Sequence, residues 1–362
     1  MIMLVGRRDE PTDAVRDYVN CLGEALRRRG IACEKSEVRW DEQGWMVALA
    51  KLWKQSRAWR GRWVVLHYTA LMWSRRGFPI AIPLMLQILK RRGCRTSVVL
   101  HDPTPAAGTH WAGRVRASLQ KGIIRHLSNH ACCVILPVPL DCIPWLPAKK
   151  ARSVFIPIGA NIPSLDDLAR EGYAPVPNSM PTVAVFGVPT WPAAQKREVE
   201  AIVHAVRSAS TKISELQLLV LGRGAKEAES LLHNGLSGSG VRLRVDGLRS
   251  AREISTELAR CDILLFARGP LSSRRGSGLA GIACGLPIVA FRGSETAPPL
   301  TEAGIVFVPQ DDVTSLGDQL SALLLDREMR LSLSAQNRAV FRQWFSWDRI
   351  AERWLEALGD EN

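Results

Sequence analysis

The sequence predicts an α/β chain built from two doubly wound domains, each a parallel sheet with helices on both faces. Three observations predict it. Short continuous apolar runs alternate with helical patterns from one end of the chain to the other, as strands buried on both faces do. A stretch containing Pro163, Pro175, Pro177 and Pro181, with Asn178 and Ser179, interrupts that series once, as a linker would. The chain has 362 residues, 46% hydrophobic and 23% charged, a globular composition too long for one core. A disordered, collagen-like or coiled-coil chain is thereby excluded. Ligands of such sheets bind outside the carboxyl ends of the strands, so two facing domains imply a central cleft.

The elements follow in order. Met1–Val5 reads as a first strand; it lacks the basic n-region and cleavage site of a signal peptide. A helix over residues 12–29 starts with Thr12 as its cap and ends at Gly30, following the usual boundary signals. Strands are predicted at 63–67, 97–101, 131–136 and 153–157, two of them ending in His67 and His101. This gives an N-terminal domain over 1–165 and a linker over 166–181. A second series starts at Thr182–Phe186, with strands at 216–221, 261–266, 287–291 and 304–308. Helices fit at 193–208, 225–233, 250–260, 277–284 and 313–325, with a Gly/Ser loop from Asn234 to Gly240. The second domain spans 182–340, and residues 341–362 read as a C-terminal helix crossing back to the first domain. No apolar run reaches the roughly 18 residues a spanning helix needs. The eight cysteines include no Cys-x-x-Cys, so reduced thiols in a cytoplasmic protein are expected and metal clusters are not.

Charge is distributed unequally. Residues 1–172 hold 27 Lys+Arg against 14 Asp+Glu, and residues 173–362 hold 21 of each, so the whole net charge of +13 sits in the first half. Between Gly44 and Leu165 there are 18 basic residues and two acids, Asp102 and Asp141. Trp45, Trp53, Trp59, Trp63 and Trp73 are interleaved with Lys51, Lys54, Arg57, Arg60, Arg62, Arg75 and Arg76. The tryptophans read mainly as core, and the collective charge as a surface for anionic lipid headgroups. Nucleic acid is an alternative partner for such a surface, but no nucleic-acid motif accompanies it.

Several motifs in the second half belong together: Phe186-Gly187 with Lys196, Leu219-Val-Leu-Gly222-Arg-Gly224, Val245-Asp-Gly247, Ala283-Cys-Gly-Leu-Pro287-Ile-Val-Ala290 and Phe345-Ser-Trp347. As a set, covering nearly all of 182–358, it resembles the donor domain of glycosyltransferase family 4, retaining enzymes with two Rossmann-like domains, the GT-B fold. Two departures stand out. The family's Glu-x7-Glu pair falls on Ser272 and Ala280, neither of them acidic, and Val188 follows Gly187 where the family carries an arginine nearby. In place of the first glutamate stands Ser272-Ser-Arg274-Arg275-Gly276-Ser277-Gly278, similar to an atypical branch with an Arg-Arg-Gly segment.

The resemblance implies a donor site at Gly187, Lys196, Gly222, Gly224, Gly247, Ser272, Arg274, Arg275, Gly276 and Ser277. A helix start with glycines suits a diphosphate, and paired arginines add bidentate donors. The bland alternatives are an N-cap with two solvated arginines, an exposed helix lysine, and ordinary glycine turns. Catalytic roles fall to His101, Asp102, Lys196 and Arg275; His101-Asp102 matches the position whose histidine touches the donor sugar in the family. His67, Tyr68, Arg75 and Arg76 are the acceptor-side candidates; a strand-end histidine satisfied by backbone is the plain reading of His67. The implied function is transfer of a hexosyl-type sugar from a nucleotide-diphosphate sugar, with retention, to a lipid-linked or cell-surface glycan. The protein would be cytoplasmic and peripheral on the inner membrane face. No cofactor and no obligatory metal are expected, and no Asp-x-Asp is present. The missing glutamates leave a non-catalytic sugar-nucleotide or glycan-binding homologue as the alternative.

Overall fold

The structure, a computed structural model, describes residues 1–10, 12–105, 110–146 and 152–359. Its contacts divide the chain into two units: Met1–Pro157 together with the chain from Ile350 onward, and Ile158–Arg349.

In the first unit β1 (Ile2–Val5), β2 (Glu34–Glu37), β3 (Trp63–Tyr68), β4 (Arg95–Leu100), β5 (Cys133–Leu136) and β6 (Arg152–Phe155) form one parallel sheet in the order β2-β1-β3-β4-β5-β6. Helices α1 (Ala14–Arg28), α2 (Trp40–Gln55), α3 (Ile82–Arg91) and α4 (Trp111–His130) connect them. The central strands are apolar and buried throughout, as in Val64, Val65 and Leu66 of β3. The α1 cap is Asp13, not Thr12: the Asp13 carboxylate accepts from the backbone N–H of Val15 and Arg16 at 3.1 and 3.0 Å. A charged acceptor suits a helix start better than a hydroxyl. Strand β2, with the sequence Glu-Lys-Ser-Glu, has no apolar signal. It forms because the free edge of β1 offers a backbone ladder, with Ile2 opposite Glu34.

The second unit holds β7 (Thr182–Phe186), β8 (Gln217–Leu221), β9 (Arg242–Val245), β10 (Ile263–Pro270), β11 (Ile288–Phe291) and β12 (Ile305–Val308), parallel and ordered β12-β11-β10-β7-β8-β9. Its helices are α5 (Leu165–Arg170), α6 (Pro192–Ser210), α7 (Ala225–Leu236), α8 (Ala251–Leu258), α9 (Gly276–Ala283), α10 (Val313–Leu325), α11 (Arg327–Val340) and the start of α12 (Trp347–Gly359). The strands are buried on both faces. Val183 and Val185 of β7 pack with α6, α7 and α10, while Ala184 packs on the other side with α8 and α9. Adjacent residues of a strand serve opposite layers, which is why the strand sequences lack polar alternation. Helix α7 runs through Asn234 to Leu236, where composition predicted a loop. Leu165–Arg170 forms a helix under a Ser164–Asp167 capping box, and Asp166 is held by Arg342 at 2.6 and 2.7 Å.

From Ile350 onward α12 belongs to the first unit. There Trp354 is fully buried and its indole N–H donates to the Tyr18 hydroxyl at 3.1 Å. Among the described residues no helix is long and apolar enough to cross a membrane.

Candidate functional site

The strand order of the second sheet reverses between β7 and β10. At such a switch point the connections leave in opposite directions and open a crevice at the carboxyl edge. The glycines of the sequence motifs collect along that edge. Gly187 follows β7 with φ +74°, and Gly222 and Gly224 follow β8 with φ +89° and +78°. These left-handed backbones favour glycine. The loops are laced together: Gly187 donates to the Leu221 carbonyl at 2.7 Å, Val188 to Arg223 at 2.9 Å, and Gly222 to Gly247 at 3.1 Å. A methyl at Gly224 would lie 2.0 Å from the Val188 carbonyl oxygen, so this close approach admits no side chain.

Across the switch point β10 ends in Arg268-Gly269-Pro270, and the chain turns through Ser272–Arg275 into α9. Arg275 is the N-cap residue of α9 and makes no side-chain cap bond. Gly276 and Ser277 therefore open the helix with backbone N–H groups that intrahelical bonds leave unpaired. Gly278 is required by packing, because a methyl there would meet Leu271 at 2.4 Å. Ser272 is 1% exposed and its hydroxyl has no partner among the described residues. Arg274 is ion-paired to Glu295 at 2.7 Å, both side chains about 15% exposed (15% and 14%). Ala280, in the register of the family's second glutamate, is buried in the apolar layer under the sheet. That whole segment is anchored by Asn337, whose amide oxygen accepts from Gly304 at 2.8 Å while its nitrogen donates to the Leu286 carbonyl.

A small, partly open hollow sits at the switch point, lined among others by Phe186, Gly187, Glu198, Arg268 and Ser277. Its charged groups are a pair absent from the sequence-derived set. Arg268 Nε donates to the Glu198 carboxylate at 3.3 Å. Burial pushes the Glu198 carboxyl up to about 7, although the charges of Arg268 and Arg275 pull it down. A buried carboxylate gains protons in this way unless its partners fully offset the lost hydration. Lys196 lies on the exposed side of the same helix, 72% exposed and 3.9 Å from Glu200. The structure thus brings together Gly187, Gly222, Gly224, Gly247 along one edge, and Arg275, Gly276, Ser277 at one helix start. It holds Lys196 outward and engages Arg274 elsewhere. Two signals for the missed pair existed: an arginine directly after the apolar run Ile263–Ala267, and a glutamate next to the buried Val199 on the inward stripe of α6.

In the first unit His67 and Tyr68 end β3, and His101 and Asp102 follow β4. His67 Nδ1 and His101 Nε2 are 3.0 Å apart, so one ring donates to the other's lone pair. Tyr18 of α1 stands edge-on to both rings. His67 is fully buried and its Nε2 has no partner among the described residues. The Tyr68 hydroxyl is likewise buried without a partner there, and burial, with the nearby Asp102 charge, pushes its pKa up and keeps it protonated. Asp102 is exposed, and so are Arg75 and Arg76; Arg75 donates to the Asp41 carbonyl at 3.1 Å.

Burial drives both histidines neutral: His67 is held well below its ordinary value by burial and by His101, and His101 is lowered to about 3 by burial. In the unfolded chain each titrates near 6.5. The unfolded state therefore binds more protons below that pH, and stability is lost as pH falls from about 6.5 toward 3, by roughly 1.4 kcal/mol per pH unit for each ring. Urea midpoints of the first unit measured from pH 7.5 to 5 are expected to fall on this slope, and His67→Gln is expected to reduce it by about half. A midpoint independent of pH over that range contradicts the buried neutral pair.

Comparison with known proteins follows the same division. Residues 181–326 match the family described as glycosyl transferases group 1. The glycosyltransferase of Rickettsia africae superposes with a TM-score of 0.68 at 12% identity, covering 98% of this chain and 97% of that one. Anabaena Alr3699/HepE in complex with UDP-glucose gives a TM-score of 0.64 at 14% identity over 99% of both chains.

The fold is GT-B.

In this GT-B chain the family match lies inside the second unit, which carries the glycine edge and the α9 start. A curated relative is the GDP-mannose-dependent monoacylated alpha-(1-6)-phosphatidylinositol monomannoside mannosyltransferase of Corynebacterium glutamicum, 26% identical over 168 residues. The match covers 45% of this chain and 44% of the relative, so the chain matches less than half the length of that protein.

Proposed function

We propose that the protein transfers a hexosyl-type sugar from a nucleoside-diphosphate sugar to a lipid-linked or cell-surface glycan, with retention of configuration. The observation that carries the reading is the switch-point hollow of the second unit, where the left-handed Gly187, Arg268 and Ser277 of the α9 start line one space within the glycosyl transferases group 1 match. The nucleotide portion runs along Gly187, Gly222, Gly224 and Gly247. The diphosphate sits at Arg275, Gly276 and Ser277, where unpaired N–H groups and a guanidinium meet its charge. In the reaction the anomeric C–O bond to the diphosphate breaks as the acceptor hydroxyl oxygen bonds on the same face of the sugar. The acceptor proton passes to the departing phosphate oxygen, so no protein base is needed. Stabilising the charge on that leaving group is the protein's main task, performed by arginines and a helix start without an obligatory metal or cofactor. The UDP-glucose complex of Alr3699/HepE and the GDP-mannose dependence of the corynebacterial relative support this donor class.

The first unit would bind the acceptor, with the exposed Asp102, Arg75 and Arg76 as contacts beside His101, while the buried His67 and Tyr68 support them from beneath. Its helix α3 packs beside both α2 and α4. These helices and the turns before them expose Met46 (84%), Ile80 (70%) and Trp111 (73%) among exposed Lys51, Lys54, Lys90, Arg91 and Arg114. Apolar groups between cations suit an anionic lipid surface, where each nearby basic residue contributes about 1 kcal/mol. This supports a peripheral position on the inner membrane face.

Arg275→Ala tests the donor site. Calorimetry is expected to give at least tenfold weaker UDP or GDP binding, with uridine or guanosine affinity nearly unchanged. Equal loss for diphosphate and nucleoside removes the phosphate assignment.

A further inference from the structure

The geometry points to Arg268 as a second ligand-contacting cation, one that binds the diphosphate from the β10 side of the hollow, with Glu198 as its positioning residue. The inference rests on the nucleotide-diphosphate reading above and names residues outside the motif set. Four observations lead to it. Arg268 stands at the carboxyl end of β10, beside the switch point, and lines the hollow together with Gly187 and Ser277. Its Nη2 would be 3.3 Å from a methyl placed on Gly187, so the guanidinium lies against the motif glycine. One edge of the guanidinium is engaged, Nε donating to Glu198 at 3.3 Å. The neighbouring donor is not: Nη2 is buried and has no hydrogen-bond partner among the described residues.

A buried guanidinium N–H without an acceptor is unfavourable by itself. The side chain nevertheless keeps 33% of its surface open, so a small rotation of the guanidinium brings the buried Nη2 to an oxygen anion arriving at that surface. Arginine presents such a fork in a fixed plane, which matches phosphate oxygens two at a time. Glu198 is the group that fixes the plane. It is 5% exposed on α6 and has no charged hydrogen-bond partner besides Arg268 among the described residues. Lys196, two residues earlier, points outward, so α6 contributes a carboxylate to the hollow and not a cation. The cation comes from β10 instead.

Glu198 makes the proposal testable by sign. A carboxylate next to an anion site repels the anion, so simple electrostatics expects its removal to tighten binding. A positioning role expects the opposite when the hydrogen bond is lost. Three variants of the full chain, Arg268→Gln, Glu198→Ala and Glu198→Gln, are titrated with UDP, GDP, uridine, guanosine and inorganic pyrophosphate, with thermal melts as a fold check. Arg268→Gln is expected to weaken the preferred nucleoside diphosphate at least tenfold, to leave the nucleoside within twofold, and to end competition by pyrophosphate. Glu198→Ala is expected to weaken the diphosphate several-fold. Glu198→Gln, which still accepts from Nε, is expected to match or exceed wild-type affinity.

Diphosphate binding unchanged in Arg268→Gln overturns the contact. Tighter binding in Glu198→Ala overturns the positioning role. If Glu198→Ala melts early, Glu198→Gln decides: weakened diphosphate there, with a native melt, also overturns it. If the wild type binds neither nucleotides nor pyrophosphate, the donor reading and this inference fall together; if it binds pyrophosphate through Arg268 but no nucleotide, only the donor reading falls.

Discussion

Gly224→Ala is expected to destabilise the second unit by about 3 kcal/mol or more and to abolish nucleotide binding. Two penalties combine. The residue starts α7 with φ +78°, a region that costs a side-chain-bearing residue about 1–2 kcal/mol. The added carbon would also lie 2.0 Å from the Val188 carbonyl oxygen and 2.9 Å from its carbon. That neighbour is backbone, tied by its own N–H to the Arg223 carbonyl at 2.9 Å, so relief requires separating the loops after β7 and β8. For a unit of this size such a loss lowers the melting temperature by roughly 10 °C, at about 2–4 °C per kcal/mol. Gly247→Ala is the control: its methyl would meet only the flexible Lys226 side chain at 3.3 Å. Differential scanning calorimetry separates the two. A Gly224→Ala melt like that of Gly247→Ala would show that the loops are not held as described.

Reversing charge on the first unit is expected to abolish attachment to anionic vesicles. The variant Lys51→Glu, Lys54→Glu, Lys90→Glu, Arg91→Glu changes four exposed residues of α2 and α3. Losing four attractions of about 1 kcal/mol each weakens partitioning by nearly three orders of magnitude before any repulsion is added. Co-sedimentation with phosphatidylglycerol-containing vesicles at physiological salt reads this out, and soluble UDP or GDP binding should be unchanged. Vesicle binding that survives the reversal removes the membrane proposal. Trp53 is a poor choice for such a test. It is 43% exposed, but its ring is covered by the Arg92 guanidinium at 3.6 Å, so its loss would also disturb the contact between α2 and α3.

How far the sequence reaches is clearest at particular elements. Strand β7 and helix α10 match their sequence-derived bounds, because each is a compact apolar pattern with a clear stop. The polar edge strand β2 had no such pattern; it exists because β1 needs a hydrogen-bonding neighbour. The glycine positions were legible, since Gly222-Arg-Gly224 after an apolar run announces a strand end whatever the fold. Charged residues were not. Motif spacing points to Lys196, yet the turn of α6 sets it on the solvent side. Glu198, two residues on, is buried because a helix rotates about 100° per residue. Arg268 and Glu198 are separated by seventy positions in the chain and meet only because β10 lies next to β7 in the sheet.

The sequence by itself determined the two α/β halves, the glycine edge and the concentration of positive charge in the first half. These depend on local composition and short-range periodicity, which a linear text carries. Tertiary structure alone decided which charges face the switch-point hollow, that Arg274 is engaged by Glu295, and that His67 and His101 share one proton-bearing contact. Those facts depend on strand order and helix rotation, and burial then sets each group's charge through the water it loses.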